Sequence, residues 1–178
     1  MNAALHIQHA SRRLRRVFTV TLVAIPVLTA LVWIFINGLP EGMQEVILPR
    51  YARLPLPVSA RMLAFIASLL PASVAMYGTA VLIRLFGLYE RGQIFRLDNV
   101  RCFRSLSRVL IGWCAVRIVA GPMMSVALTL HHPPGRRILW IGLGSPDITA
   151  LLVGFVLGVI AWVMEEGRML REERDYTV

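Results

Sequence analysis

Apolar residues in this chain gather into four long blocks, and polar residues, chiefly arginine, collect between them. Residues 17–36, 62–83, 109–130 and 147–164 each come close to the roughly 20 residues a helix needs to cross a hydrocarbon core. Arg61 and Arg84 frame the second block, so its limits are sharp. Pro26, inside the first block, predicts a kink: proline removes one helical hydrogen bond, and neighbouring helices in a membrane can re-satisfy the freed carbonyl. Pro71 and Pro122 occupy the second and third blocks in the same way. The fourth helix is expected to start at Ser145-Pro146-Asp147, which joins an N-cap residue, a proline at the first helical position and an acid in the first turn. Along it Ala150, Gly154 and Gly158 recur every fourth residue, the small-residue face of a closely packed helix. That face suits a neighbour in the same chain and a dimer partner equally.

The stretches between the blocks refine this layout. Residues 1–16 end in Ser-Arg-Arg-Leu-Arg-Arg, which is also how a signal peptide opens. The run that follows is longer than a signal core and leaves through Ile36-Asn37-Gly38-Leu39-Pro40 with no small-x-small cleavage site, so a retained first transmembrane helix is expected. Pro40, Pro49, Pro55 and Pro57 rule out a long helix before the second block, although Glu41–Leu48 is expected to form a short amphipathic turn at the interface. His131-His132-Pro133-Pro134-Gly135 stops the third helix. Ile138–Leu143 is apolar but too short to cross, a re-entrant or an interfacial piece. Between Arg84 and Arg108, the residues Ile94, Leu97, Val100, Phe103 and Leu106 recur every third position. They predict an amphipathic helix lying in the interface, with Arg96, Arg101, Arg104 and Arg108 near anionic headgroups.

Composition agrees with four spans. The chain is 57% hydrophobic and only 16% charged, where soluble domains carry about a quarter charged residues. The expected fold is all-α: one domain over residues 1–178, an integral membrane bundle of four transmembrane helices. The net charge of +9 comes from 19 basic residues, all arginine. Such a charge can mark a nucleic-acid binder, but these arginines cluster at the ends of the apolar blocks, where they set orientation. Thirteen lie on the side of both termini and the central loop and five on the other, with Arg117 inside a helix. This predicts both termini inside and a cytoplasmic central loop. Cys102 and Cys114 are too few for a disulfide framework, and Cys102 falls in the cytoplasmic loop, where thiols stay reduced.

Candidate chemistry is sparse. Arg117 lies about 12 Å past the start of the third helix, where an arginine costs at least ~2.5–3.5 kcal/mol and usually faces the bundle interior or a polar cavity. No acid falls within the interior of a predicted span, so its expected partner is a backbone carbonyl, a hydroxyl, Tyr77 or a bound anion; snorkelling to the inner interface is the plainer alternative. His131 and His132 are adjacent, which seldom points two imidazoles at one metal, and no Cys, Asp or Glu stands beside them. No nucleophile–base pair, phosphate-cradling loop or metalloprotease motif is present. No enzyme, cofactor or metal is therefore expected. The acids missing from the central loop sit in the tail, at Glu165, Glu166, Glu172, Glu173 and Asp175, where they could form an ionic clamp with the loop arginines.

Two short stretches carry a resemblance. Leu85–Phe95, with Tyr89, Gly92, Ile94 and Phe95, and the tail from Glu166, with Gly167, Leu170, Glu173, Asp175, Thr177 and Val178, resemble an uncharacterised bacterial family of four-span inner-membrane proteins with a domain of unknown function. The sequence departs from the family pattern at Arg174 and Tyr176. The resemblance implies the four-span layout and a gene often found beside a small helix-turn-helix regulator; it implies no activity. The functional expectation is an accessory or regulatory membrane protein acting through its cytoplasmic loop and tail. A small oligomeric transporter or channel, with Arg117 lining an anion path, is the alternative. The partners this implies are membrane lipids, a protein at the cytoplasmic face and a second copy of the chain, but not nucleic acid.

Overall fold

Long unbroken apolar stretches leave the backbone of this chain one economical choice, because each helix satisfies its own peptide groups without help from water. The computed structural model has helices and no strand among its described residues, which are 2–49, 51–93, 96–133 and 135–175, with side chains described between Gln8 and Met169. Helix α1 spans Asn2–Phe35 and ends in a single 3-10 turn, Ile36–Gly38; α2 is the short Glu41–Ile47; α3 spans Val58–Glu90, α4 Leu97–Thr129 and α5 Ser145–Asp175. Four of them, α1, α3, α4 and α5, are long and apolar enough to cross a membrane. Their outward surfaces agree. Val20, Leu28, Phe155 and Trp162 are all more than half exposed, an outer face that suits lipid and not water.

The long helices pack chiefly on their sequence neighbours, α1 on α3, α3 on α4 and α4 on α5. The bundle is thus a row with α1 and α5 at its edges. The row bends at one end, where Trp33 and Ile36 of α1 share a buried cluster with Ala60 and Ala64 of α3 and Ala127 and Leu128 of α4. The link between α1 and α3 closes over that end. Asn37 holds it through both sides of its amide, donating to the Leu56 carbonyl and accepting from the Leu56 N–H, each at 2.9 Å. Gln44 of α2 donates to the carbonyls of Ile36 and Leu39.

At the opposite, arginine-rich end every seam in the row carries an ion pair. Glu90 of α3 accepts from Arg12 and Arg15 of α1 at 2.9 and 3.2 Å. Asp98 of α4 lies 3.7 Å from Arg84 of α3. Arg104 of α4 pairs with Glu165 of α5. The clamp between loop and tail is therefore present at Arg104, whereas Arg101 turns to Asp98 on its own helix at 3.6 Å.

Two expectations change. The amphipathic stripe does not lie flat in the interface, because residues 97–108 are the first turns of α4 itself, continuous with the span. No proline or glycine interrupts α4 before Gly112, and the stripe finds better cover than lipid: Leu106 and Cys102 pack on Val81, Leu85 and Leu88 of α3. The small-residue face of α5 belongs to the chain's own packing. A Cβ on Gly154 would come within 3.2 Å of the Ser107 carbonyl and 3.1 Å of Leu110 and Ile111, and one on Gly158 would meet the Ser107 hydroxyl at 3.0 Å.

These contacts set a test of the α4–α5 seam. Gly154→Leu should destabilise the protein by about 1–3 kcal/mol through overpacking, read as a lower melting temperature in mild detergent. Gly167→Leu, at a position with nothing within 4 Å of a Cβ, should leave melting unchanged.

Candidate functional site

The distinctive local structure follows α4. Residues 138–144 do not cross to a new helix at the end of the row but run back, extended, beside the last turns of α4. Extended backbone at membrane depth needs partners for its N–H groups, and α4 supplies two of them from buried hydroxyls one turn apart. The Ile138 N–H donates to Thr129 Oγ1 at 3.2 Å and the Trp140 N–H to Ser125 Oγ at 3.0 Å. One turn further along α4, Gly121 makes room for the Trp140 ring, which would lie 3.2 Å from a Cβ there. Exposure alternates with the period of an extended chain: Leu139 and Ile141 face outward while Trp140 is turned toward α4.

This strap determines where α5 begins. Helix α5 starts at Ser145, and its first turn reaches α4 at Trp113, Cys114 and Arg117. Arg117 is twelve residues, about 18 Å along the helix axis, from the end of α4 at Thr129. The Asp147 side chain is only 4% exposed, and four groups surround it. Its Oδ1 accepts from the Trp113 indole at 3.0 Å and lies 3.3 Å from Arg117 Nε. Its Oδ2 accepts from the Gly144 N–H at 2.8 Å, the reach-back of a capping box. The Cys114 thiol donates to its backbone carbonyl at 3.1 Å. A buried carboxylate is tolerable only when paired and hydrogen-bonded, and this one is both.

Arg117 thus has an acidic partner, contrary to the expectation of a carbonyl, hydroxyl, tyrosine or anion. The acid was visible in the sequence as a capping residue. What hid its role is the strap, which carries the start of α5 down to the level of Arg117. Tyr77 does not share this site. It is 58% exposed and lines a shallow groove with Ser73, Ser105 and Arg108. Ser125 and Thr129 were missed altogether; their signal is a pair of hydroxyls four residues apart beside an apolar run too short to span.

Above Arg117 the bend in the row encloses a cavity of about 630 Å³. Trp33 of α1, Ala67, Ser68 and Pro71 of α3, and Arg117, Met124 and Leu128 of α4 form its walls; residues 46–49 with Tyr51 roof it, and Trp140 of the strap closes one side. The Trp33 indole donates to Ser68 Oγ at 2.9 Å, leaving Arg117 as the strongest polar group at the foot. Beyond it, toward the arginine-rich end, the α3–α4 seam is filled by Val81, Leu85 and Leu106. The cavity is a blind pocket.

The other sequence candidates lie apart from it. Tyr89 packs edge-on against Phe86, whose ring stacks on Phe18 of α1. Gly92 follows α3 with a φ of 72°, the left-handed conformation glycine allows at a helix end. Gly167 lies on α5, as do Leu170, Glu173 and Asp175, whose side chains are outside the described residues together with all of Ile94, Phe95, Thr177 and Val178. Ala150, Gly154 and Gly158 are on α5 above them. Among the described residues no cluster of metal-ligating side chains occurs.

Residues 42–178 match a family described as a protein of unknown function (DUF2975). The chain belongs to that family. The match takes in α3, α4, the strap and α5, and so the whole Arg117–Asp147 pair; α1 lies before it. No curated protein and no solved structure matches the chain. The DUF2975 assignment bears out the resemblance carried by the two short stretches and, like it, assigns no activity.

Two measurements test the site. Asp147→Ala should cost about 3 kcal/mol, near the lower bound for breaking a buried pair because Arg117 also reaches the cavity. Adding Arg117→Met should restore part of that loss, since no guanidinium is then left without its acid; both are read by melting in detergent. At the arginine-rich end Arg104→Glu should lower stability by at most about 1 kcal/mol, as expected of an exposed pair, and the swap Arg104→Glu with Glu165→Arg should restore it.

Proposed function

We propose that the protein is an accessory or regulatory multi-pass protein of a bacterial inner membrane, working through its arginine-rich end on the cytoplasmic side. The observation that carries this reading is the division of labour among the arginines there. Arg12, Arg15, Arg84 and Arg104 each hold a helix seam. Arg13, Arg16, Arg91 and Arg96 are exposed and carry no ion pair among the described residues. The first set keeps this end of the row in one arrangement, and the second offers charge that the fold itself does not consume.

The edge helices add reach. Helix α1 starts ten residues before Arg12 and α5 runs ten residues past Glu165, so each continues about 15 Å beyond its ion pair. A platform of unspent guanidinium groups between two projecting helices suits an acidic face on a cytoplasmic protein, where charge complementarity speeds encounter and fixes register. This reading gives the protein no catalytic role. The transporter or channel reading is less well supported, because the cavity that reaches Arg117 ends there and the seam beyond it is packed.

The platform can be tested apart from the fold. Arg91→Glu with Arg96→Glu should abolish cross-linking of the full-length protein to its cytoplasmic partner in native membranes while leaving melting unchanged. Cross-links that survive both reversals would exclude this face as the docking surface.

A further inference from the structure

The blind cavity is built for one kind of occupant. Arg117 commits its Nε to Asp147 at 3.3 Å, and neither of its terminal NH2 groups has an acceptor among the described residues. The side chain remains 38% exposed, and it lines the cavity floor. Those groups present the planar fork that matches a carboxylate with two parallel hydrogen bonds. Of the other lining residues, Ser68, Tyr51 and the two tryptophans carry polar side-chain atoms and the rest are apolar. Trp33, Pro71, Met124, Leu128 and Trp140 supply the walls, and the Trp33 indole is taken by Ser68. Mainly apolar walls, one charged group and about 630 Å³ are the marks of a small-molecule site.

We propose that this cavity binds a small apolar monocarboxylate, its carboxylate on the free fork of Arg117 and its hydrocarbon or aromatic body between Trp33, Met124 and Trp140. Charge ranks a monoanion above a dianion. Asp147 already balances the guanidinium, so a carboxylate brings one further charge and a dianion such as phosphate two into apolar surroundings. A bare inorganic anion would also lose its hydration and gain nothing from the walls, whereas an apolar acid recovers the cost by burying its body. The site has two routes of entry. Helices α1 and α4 meet in the cluster around Trp33 and Leu128 and do not pack extensively on each other elsewhere among the described residues, which leaves the lipid between them as one route and the edge of the roof of residues 46–49 and Tyr51 as the other. A long-chain fatty acid from the bilayer and a shorter acid from water would therefore present the same group to Arg117.

The test uses the full-length protein in nanodiscs, with naphthalene-2-carboxylate as probe and energy transfer from tryptophan as readout. The acid should bind saturably, and the isosteric 2-naphthamide at least tenfold more weakly. Arg117→Gln should weaken the acid at least tenfold. Because that variant leaves Asp147 without its cation, Met124→Trp serves as a second: it fills the cavity away from the ion pair and should abolish binding while the protein still melts cooperatively. Competition by palmitate would support the proposal with the bilayer as source, and competition by octanoate alone would support it with water as source. Equal binding of acid and amide, unchanged binding in Met124→Trp, or inorganic phosphate competing as well as octanoate would each overturn it.

Discussion

A carboxylate held away from water has to be surrounded by donors, and Asp147 imposes that constraint on this fold. Its two oxygens bind three donors from two places: the Trp113 indole and Arg117 from α4, and the Gly144 N–H from the strap. None of these contacts alone offsets the cost of burying the charge. Together they fix the first turn of α5 against the middle of α4. The strap can be extended because Ser125 and Thr129 take up its amides, and Trp140 can lie flat because residue 121 has no side chain. Loosening the carboxylate would release the strap, the start of α5 and one wall of the cavity together.

The row geometry explains how so apolar a chain keeps a cavity. A closed bundle of four helices would fill its centre with side chains from all of them. Here each helix answers chiefly to its sequence neighbours, and the bend at one end leaves space between α1 and α4 that no other long helix occupies. The opposite end behaves differently. Ion pairs hold all three seams there, and the packed side chains of Val81, Leu85 and Leu106 leave no passage. One end of the molecule is therefore shaped by packing around an opening and the other by charge on a closed face. A ligand site at the first and a docking platform at the second are compatible roles, joined by the rigid length of α3 and α4.

Much of this architecture was legible in the residues. Hydrocarbon thickness sets the length of each apolar block, so the four long helices follow from counting, and Gly154 and Gly158 announced a close seam before its partner was known. Arg117 stood out because a lone cation among apolar residues always needs an explanation. Its partner could not be read, because Asp147 is thirty positions away and looks like an ordinary helix-capping acid. The same limit hid the fate of the 97–108 stripe, whose periodicity fits equally a helix on lipid and one packed on Leu85 and Leu88.

The sequence by itself determined the spans, the arginine-rich end and the family, since those depend on composition and local order along the chain. Tertiary structure alone decided that residues 138–144 turn back beside α4, because the acceptors for their amides are hydroxyls on another element. That single choice carries Asp147 to Arg117, separates Arg117 from Tyr77 and encloses the cavity. Depth is a property of packing, and no local pattern records it.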